Sequence, residues 1–349
     1  MSVELGDALS GLEGIELEPL VLRSSWRWVH VRSVGFLLST FFRIRKKALR
    51  GELDVVLFSS MVSASLAPLL RSTLHSLRIP MAAIAHGLDV TLPGIYQIVL
   101  VRRILAALDC VMPVSRATGT ECLKRGMPKE RVQVIPNGVD TRRKAGTDGR
   151  PILHTIDETS LLLCSVGRLV KRKGFAWFID QVMPLLPGGV HYWIAGSGPQ
   201  HAAIEAAAKK RRLAHRVRML GTLADDDIYR LYSCADLLVM PNVPVPGDME
   251  GFGIVMLEAG ISATPTVAAR LEGIPDVITE GQNGHLVDSL SPRAFVDAIL
   301  PYYHDRATLK AASVRAARHT RSTFDWRVVA ARYAAHLRAL VCEARDNTG

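Results

Sequence analysis

Short apolar runs alternate with longer amphipathic stretches along most of this chain, and no other feature limits its fold as strongly. In the first half, four such runs are predicted strands: DVVLFSS (54–60), PMAAIAHG (80–87), LDCVMPVS (108–115) and RVQVIPNGVD (131–140). A helix is predicted between the last two strands, from about Arg116 to Arg125. Strand–helix alternation at this spacing indicates a parallel sheet with helices on both faces.

The same pattern restarts after a polar tract, Thr141 to Thr159, whose glycines and proline predict an interdomain linker. Six further strands are predicted: 160–169, 190–198, 216–222, 235–242, 264–270 and 284–287. Near the end, FDWRVVAARYAAHL (324–337) has the spacing of an amphipathic helix. The predicted fold class is therefore α/β, with two doubly wound, Rossmann-like domains, and a length of 349 residues agrees with two domains.

Charge and composition narrow the range of partners. A net charge of +10 favours an anionic substrate, an anionic membrane surface or nucleic acid. We exclude nucleic acid, because the chain has no zinc-finger spacing, no aromatic-rich RNA-binding motif and no basic recognition helix. No apolar run approaches the roughly 18 residues that a spanning helix needs, and no signal peptide is evident. The five cysteines contain no C-x-x-C pair, which favours a reducing cytoplasm over a disulfide framework or structural zinc.

Two glycine-containing loops follow strands of the second half, where open α/β sheets bind their ligands. GRLVKRKG (167–174) offers close backbone approach at Gly167 and positive charge at Arg168 and Lys173, which suits a diphosphate. A solvated basic loop is the alternative interpretation. GSGP (196–199) predicts a tight turn at Gly196 and Gly198, either structural or facing a ligand.

VPVPGDMEGFGIVMLEAG (243–260) is the most informative stretch, because Glu250 and Glu258 flank Gly251 and Gly253 there. We predict a helix that starts near Gly253, whose free amides can bind phosphate. Glu250 can accept hydrogen bonds from sugar hydroxyls, and Glu258 from a ribose diol. The alternative is a capped helix with a solvent-exposed carboxylate at each end.

In their order along the chain, these motifs resemble those of the retaining glycosyltransferases of family four. Three further segments share the resemblance: VSRATGTECLKRGMPKERVQVIPNGVD (114–140), ADLLVMPN (235–242) and LEGIPDVITEGQNGHLV (271–287). The resemblance implies the glycosyltransferase B fold, with two Rossmann-like domains facing a cleft. It places an acceptor-side domain at 1–145 and a donor-binding domain at 146–321. It further implies that a C-terminal helix, 322–349, packs back on the first domain.

The resemblance also assigns roles to residues. Arg168 and Lys173 would bind the donor diphosphate, Glu250 the transferred sugar, and Glu258 the nucleotide ribose. His86 would lie near the anomeric centre and the acceptor, with Asp89 as a further acceptor-side candidate. The remaining donor-binding candidates are backbone positions: Gly167, Gly196, Gly198, Gly251, Phe252, Gly253 and Ile254.

The implied reaction transfers a hexose-type sugar, with retention, from a nucleotide-diphosphate sugar to a glycan or lipid-linked acceptor of the cell envelope or an exopolysaccharide. The leaving diphosphate takes the acceptor proton, and Arg168 and Lys173 stabilise its charge. We therefore expect no metal and no cofactor. A D-x-D sequence at Asp225–Asp227 is interpreted as capping of a helix start instead of a metal site.

The N-terminal region departs from the family pattern. Residues 1–30 supply no opening strand with a Gly-rich loop, so we expect the first βα unit to be missing. Residues 26–50 combine Trp26, Trp28, Phe36, Phe41 and Phe42 with seven Arg or Lys. That composition suits a helix lying on an anionic membrane, and a core-facing helix with a basic solvated face is the alternative. The expected location is the cytoplasm, or peripherally the inner face of the cytoplasmic membrane.

Two other functions fit parts of the pattern. A nicotinamide-dependent oxidoreductase would use the same fold, but G-x-G-x-x-G is absent, since His201 stands where its third glycine would fall. A catalytically impaired sugar-nucleotide-binding or scaffold protein would keep the donor motifs without transfer activity. The sequence leaves open the donor sugar and the choice between UDP and GDP.

Overall fold

A computed structural model describes residues 2–21, 29–91, 96–143, 157 and 159–346. The chain divides into two compact units, one comprising Met1–Asn137 with Trp326–Gly349 and the other Gly138–Asp325. The boundaries drawn from the sequence were 145/146 and 321/322. Part of the predicted linker and both tryptophans of the predicted membrane helix lie outside the described residues.

The first unit begins with helices and continues as a strand–helix series. Its elements in chain order are α1 (Ser2–Ser10), α2 (Val29–Leu49), β1 (Val56–Phe58), α3 (Ala67–Ser76), β2 (Met81–Ala85), α4 (Leu88–Thr91), α5 (Arg102–Ala107), β3 (Cys110–Pro113) and α6 (Arg116–Lys124). The described strands form a parallel sheet in the order β1-β2-β3, with Ala83 of β2 beside Phe58 and Val111. All five residues of β2 are buried, as expected for a parallel strand covered on both faces.

The predicted fourth strand, 131–140, is wrong as a regular element. The backbone amides of Gln133 and Ile135 donate to the carbonyls of Val111 and Pro113, at 3.0 Å each, so the segment does run along β3. Its only bridge to β3 among the described residues is an isolated one, between Val111 and Val132. Pro113 has no N–H to donate in return, so the ladder cannot continue.

The second unit carries a six-stranded parallel sheet. Its elements in chain order are β4 (Leu161–Val166), α7 (Phe175–Gln181), β5 (Val190–Ala195), α8 (His201–Lys210), β6 (Val217–Gly221), α9 (Asp225–Cys234), β7 (Leu237–Met240), α10 (Val255–Ile261), β8 (Thr266–Ala269), β9 (Gly284–Val287), α11 (Pro292–His304) and α12 (Arg306–Phe324). All six strands predicted for this half are present. The strand order is β6-β5-β4-β7-β8-β9, so the chain winds outward from β4 in both directions. Crevices of such sheets open where the order reverses, here between β4 and β7.

The last helix, α13 (Trp326–Asp346), returns to the first unit and packs against α1. Its inward side buries five residues, Trp326, Val329, Ala330, Tyr333 and Ala334. Leu5 and Leu9 are the buried residues of α1. Two helices from opposite ends of the chain therefore complete one core.

Helix α2 turns Ile44 and Ala48 into the core of the first unit, and Phe41 packs partly against that core. Phe42 is 62% exposed, whereas Phe36 is half-buried. Of the aromatic residues predicted to share a membrane face, the three that the structure describes therefore point in different directions. No helix within the described ranges is long and apolar enough to cross a bilayer, and all five cysteines are free thiols.

Candidate functional site

The loops that follow β4 and β7 meet at the point where the strand order of the second sheet reverses. Leu163 and Cys164 of β4 pair with Leu237 and Leu238 of β7, which aligns the carboxyl ends of both strands. Beyond those ends, the amide of Val243 donates to the carbonyl of Arg172 at 2.9 Å. The basic loop and the acidic loop singled out in the sequence are thus neighbours in space.

Glu250 is the centre of a buried polar cluster that joins these two loops. Its Oε2 atom accepts hydrogen bonds from Arg172 Nη1 at 2.5 Å, Lys173 Nζ at 2.6 Å and Asn242 Nδ2 at 3.1 Å. All four residues are buried, each 7% exposed or less. Glu250 Oε1 accepts no hydrogen bond from any described residue, so half of this carboxylate remains available to a ligand.

Further contacts around the cluster hold the backbone near Glu250 in place. Arg172 Nε donates to Asp248 Oδ1 at 2.9 Å, and the Glu250 amide donates to the Glu272 carboxylate. Gly273 lies so close that an added Cβ would stand 2.2 Å from the Gly251 carbonyl oxygen. The segment after β8 therefore closes on the acidic loop and holds it in place.

Three cations, Arg168, Arg172 and Lys173, lie around Glu250, and the carboxylates of Asp248 and Glu272 lie beside them. Burial alone would raise the pKa of Glu250, but the nearby Lys173 and Arg172 lower it below its ordinary value, so this carboxylate is ionised. Burial lowers the pKa of Lys173, Glu250 opposes this shift, and the cations Arg172 and Arg168 add to it. An anion bound here would relieve the repulsion among three cationic side chains.

Arg168, predicted to bind phosphate, is exposed, and its guanidinium makes no hydrogen bond or ion pair with the described part of the chain. Gly167 lies beside Lys173, because a Cβ there would be 3.4 Å from Lys173 Cε. The structure therefore places Gly167, Arg168, Lys173 and Glu250 together at one strand end. Their assignment to a diphosphate remains a prediction.

The GSGP turn packs directly on the basic loop. A Cβ at Gly196 would stand 1.9 Å from the Gly167 carbonyl oxygen, and Gly196 has a φ of +140° that favours glycine. Leu169 N donates to Ser197 O at 2.9 Å, and a Cβ at Gly198 would stand 2.6 Å from the Leu169 carbonyl oxygen. The contact explains why these positions need glycine, and it leaves open whether the turn also touches a ligand.

Glu258 lies in a separate small group on helix α10. Its Oε2 accepts a hydrogen bond from Tyr232 Oη at 3.1 Å. Burial raises the pKa of Glu258, and the hydrogen bond from Tyr232 and the charge of Arg143 offset part of that shift. Arg143 stacks on the Tyr229 ring at 5.4 Å. A half-buried carboxylate beside two tyrosines and an arginine suits the recognition of a diol or a ring.

Helix α10 begins at Val255, two residues after Gly253 and close to the predicted start. Ile254 is the N-cap residue and has no capping hydrogen bond, while Phe252 is buried. Gly251 and Gly253 are half-buried in the loop before the helix. With seven residues the helix has little dipole, so cationic side chains are the main source of positive charge for an anion.

The D-x-D acids lie in the first turn of α9, as their sequence position indicated. They do not cap the helix, because Ala224 holds the N-cap position and makes no side-chain bond. Asp227 pairs instead with Arg230 at 2.9 Å, and Asp225 with Arg143 at 3.5 Å. The capping part of the prediction was therefore wrong.

The two predicted residues of the first unit lie at the carboxyl end of β2. Asp89 Oδ1 accepts from the His86 amide at 2.8 Å, and Asp89 Oδ2 from the Met61 amide at 3.1 Å. His86 Nε2 donates to the Ser59 carbonyl at 2.9 Å, while its buried Nδ1 has no partner in the described chain. Asp89 thus ties the loops after β1 and β2 together, and His86 keeps one unused acceptor atom.

Three residues of the Glu250 cluster were not predicted from the sequence: Arg172, Asn242 and Glu272. Arg172 belongs to a run of three basic residues that resembles a solvated surface loop. Asn242 follows β7, and its position at a strand end was the available signal. Glu272 is distant in sequence, and nothing local marks it as a partner of the Glu250 amide.

Comparison with known proteins matches both halves of the chain to glycosyltransferases. A family model described as "Glycosyltransferase Family 4" matches residues 9–143, and one described as "Glycosyl transferases group 1" matches residues 160–305. The second match contains the β4–β7 site with Lys173, Glu250 and Glu258. The first contains His86 and Asp89.

Two relatives illustrate the similarity. WcaL of Escherichia coli (strain K12), a glycosyltransferase assigned to colanic acid biosynthesis, is 27% identical over 74% of this chain. The aligned region spans 64% of WcaL, which is less than two thirds of its length. A GDP-mannose-dependent α-(1-6)-phosphatidylinositol monomannoside mannosyltransferase of Mycolicibacterium smegmatis is 28% identical over 91% of this chain and 86% of its own.

Among solved structures, Anabaena Alr3699/HepE in complex with UDP superposes with a TM-score of 0.72. It covers 87% of this chain and 82% of its own at 20% identity, so this likeness establishes the fold alone. The fold is the one that the sequence resemblance predicted, with two parallel-sheet, Rossmann-like units. The chain belongs to the family four, or group 1, glycosyltransferases and has the glycosyltransferase B fold.

Proposed function

We propose that this protein transfers a hexose-type sugar, with retention of configuration, from a nucleotide-diphosphate sugar to a glycan or lipid-linked acceptor. The observation that carries the proposal is the buried cluster of Glu250, Arg172, Lys173 and Asn242 where the strand order reverses. A half-occupied carboxylate among three cationic side chains suits a ligand with a hydroxyl-rich and an anionic part. A sugar diphosphate has both.

In this proposal the basic loop binds the diphosphate. Lys173 has three donors and directs one at Glu250, leaving two for phosphate oxygens. Arg168 adds a planar donor group on the exposed side of the same loop. As the sugar–phosphate bond breaks, these cations stabilise the developing negative charge, and the diphosphate takes the acceptor proton. The proposal requires no metal and no cofactor.

Glu250 would bind the transferred sugar through Oε1, because Oε2 is already occupied by three donors. Those donors fix the carboxylate before substrate binds, so little order has to be gained on binding. Glu258 would accept hydrogen bonds from the ribose diol, supported by Tyr232. Backbone groups from Gly251 to Ile254 and around Gly196 and Gly198 would contact the donor.

On the acceptor side, we assign His86 to the anomeric centre and the acceptor hydroxyl. Donation from Nε2 to Ser59 leaves Nδ1 as a hydrogen-bond acceptor. Asp89 would act as a positioning residue, because both of its oxygens are held by backbone amides of the neighbouring loops.

The relatives support a role in polysaccharide or glycolipid synthesis. One is named for colanic acid biosynthesis, and another for mannosyl transfer from GDP-mannose to a phosphatidylinositol monomannoside. Alr3699/HepE has been solved with UDP and with UDP-glucose. We propose an acceptor of the cell envelope or of an exopolysaccharide for this chain, and a UDP- or GDP-sugar as donor.

The proposal is tested by incubating the purified chain with UDP- and GDP-hexoses, with and without a chelator, and following nucleotide release and product. Release from one donor, unaffected by the chelator, is the expected result. The anomeric proton coupling of the product then reports retention or inversion. Binding of a nucleotide without hydrolysis or transfer to any glycan or lipid-linked acceptor would favour a sugar-nucleotide-binding or scaffold role.

A further inference from the structure

The outward face of helix α2 carries three exposed apolar side chains in one row. Leu38, Phe42 and Leu49 are 57%, 62% and 61% exposed. At about 100° per residue they fall within about 40° of one another around the helix axis. The opposite side of the helix holds Thr40, Ile44 and Ala48, which are buried. The row is therefore a second apolar stripe, distinct from the core-facing one.

Some of the cationic side chains around this stripe are ion-paired and others are not. Three of the cations on the helix and just after it are ion-paired and share two carboxylates: Arg43 pairs with Glu18, Lys47 with Glu18 and Glu52, and Arg50 with Glu52. The side chains of Arg45 and Lys46 are exposed and make no ion pair or hydrogen bond with any described residue.

Helical spacing places these two unpaired cations on opposite sides of the stripe. Arg45 lies about 20° from Leu38 on one side, and Lys46 about 40° from Phe42 on the other. Long cationic side chains on either side of an apolar row can lay their methylene groups along it and hold their charged ends where anions can bind. These two side chains therefore place unpaired positive charge directly beside the stripe.

We propose that this face, Leu38, Phe42 and Leu49 with Arg45 and Lys46, docks the protein on the anionic surface of a lipid bilayer. The apolar side chains would enter the boundary between headgroups and acyl chains while the cations bind lipid phosphates. A nucleic acid would leave Leu38 and Phe42 exposed to water, and a neutral apolar partner would leave the cations unpaired. The proposal does not depend on the transfer activity proposed above.

Sedimentation of the full chain with vesicles tests this surface. Binding to vesicles of phosphatidylcholine and phosphatidylglycerol should exceed binding to phosphatidylcholine alone by at least about tenfold. Raising NaCl from about 0.1 to about 0.5 M should weaken it strongly. Phe42→Ser should weaken binding about tenfold, because a largely exposed side chain loses its apolar contact with lipid.

Charge reversal at Arg45→Glu with Lys46→Glu should weaken binding by more than tenfold, since each cation contributes about fivefold. Two controls on helix α12 make matched changes elsewhere: Val314→Ser removes an exposed apolar side chain, and Lys310→Glu with Arg318→Glu reverses two exposed charges. Both should bind vesicles as the wild type does. Circular dichroism confirms that every variant is folded.

Three outcomes would overturn the proposal. One is the absence of binding to anionic vesicles by the folded wild type. Another is an equal loss of binding in the α12 controls, which would indicate a general effect of charge or hydrophobicity. The third is self-association of the wild type, abolished by Phe42→Ser without any vesicle binding, which would make the face a contact between copies of the chain.

Discussion

At the scale of single residues, the arrangement around Glu250 decides what the site can do. The sequence motifs identified Lys173 and Glu250 as functional, but they did not show that the two side chains bond to each other at 2.6 Å. Nor did they indicate that Arg172 and Asn242 share the same carboxylate oxygen. These contacts depend on two loops about 75 residues apart meeting at one sheet edge. Residue types at motif spacing could be predicted, whereas their hydrogen-bond partners could not.

Replacing Glu250 with glutamine should destabilise the protein, because Arg172 and Lys173 would lose their buried countercharge. We expect a loss of about 3–5 kcal/mol in the free energy of unfolding, measured by urea denaturation. Glu205→Gln is the matched control, since Glu205 is exposed and, among the described residues, its one ion pair is with His201 at 3.5 Å. That control should change stability by less than about 0.5 kcal/mol. Equal, small losses in both variants would show that the cluster is not a stabilising ion pair.

The ionisation of Glu258 predicts how donor affinity depends on pH. Ribose recognition needs the carboxylate, and burial raises the pKa of Glu258 above its ordinary value of 4.5. As pH falls, the carboxylate is therefore protonated earlier than an exposed glutamate, and affinity for a nucleotide sugar should fall while pH is still above 4.5. Calorimetry across this range measures the effect.

Glu258→Gln supplies the reference for that measurement. The variant should bind the nucleotide sugar more weakly at neutral pH, and its affinity should not show the fall at acid pH that is expected for the wild type. If affinity falls at acid pH by the same amount and at the same pH in wild type and variant, the titrating group is not Glu258.

At the scale of elements, the alternating pattern predicted every strand of the second unit, because buried parallel strands are continuous apolar runs. Strand order could not be predicted, since apolar runs carry no information about which neighbours they pair with. The error at 131–140 has a local cause, the missing N–H of Pro113 in the adjacent strand. Helix α2 was recognised as amphipathic, but which aromatic side chains face outward depended on how it packs.

The segment after β8 is expected to control the acidic loop through Gly273. This residue has an ordinary φ of −82°, so alanine causes no backbone strain there, but its Cβ would stand 2.2 Å from Gly251 O. Gly273→Ala should displace Glu250 and weaken nucleotide-sugar binding by at least about tenfold.

Gly188→Ala is the matched control for this substitution, because a Cβ at Gly188 meets nothing within 4 Å. It should leave nucleotide-sugar affinity within about twofold of the wild type. Unchanged affinity in Gly273→Ala would mean that the close approach of the two segments does not position the site.

At the scale of the whole molecule, the chain builds two units with separate cores, and its last helix belongs to the first unit. All contacts of the Glu250 cluster lie within the second unit. Damage to the core of the first unit should therefore lower stability without altering nucleotide affinity in the folded protein.

Tyr333→Ala tests this separation, because Tyr333 is 1% exposed on the inward side of α13. The free energy of unfolding should fall by about 3–5 kcal/mol, as is usual when a buried aromatic side chain is truncated. Val328→Ala, on the exposed side of the same helix, should change it by less than about 0.5 kcal/mol. A large loss of nucleotide affinity in folded Tyr333→Ala would show that the donor site depends on the first unit.

The central claim, a nucleotide-sugar site between β4 and β7, is tested most directly by calorimetric titration with UDP and GDP in the absence of metal. Wild type is compared with Arg168→Ala and Glu258→Ala, which remove a proposed diphosphate contact and a proposed ribose contact. We predict that the wild type binds one of the two nucleotides and that each variant binds it at least about tenfold more weakly. A folded wild type that binds neither nucleotide, or variants that bind as tightly as the wild type, would contradict the account.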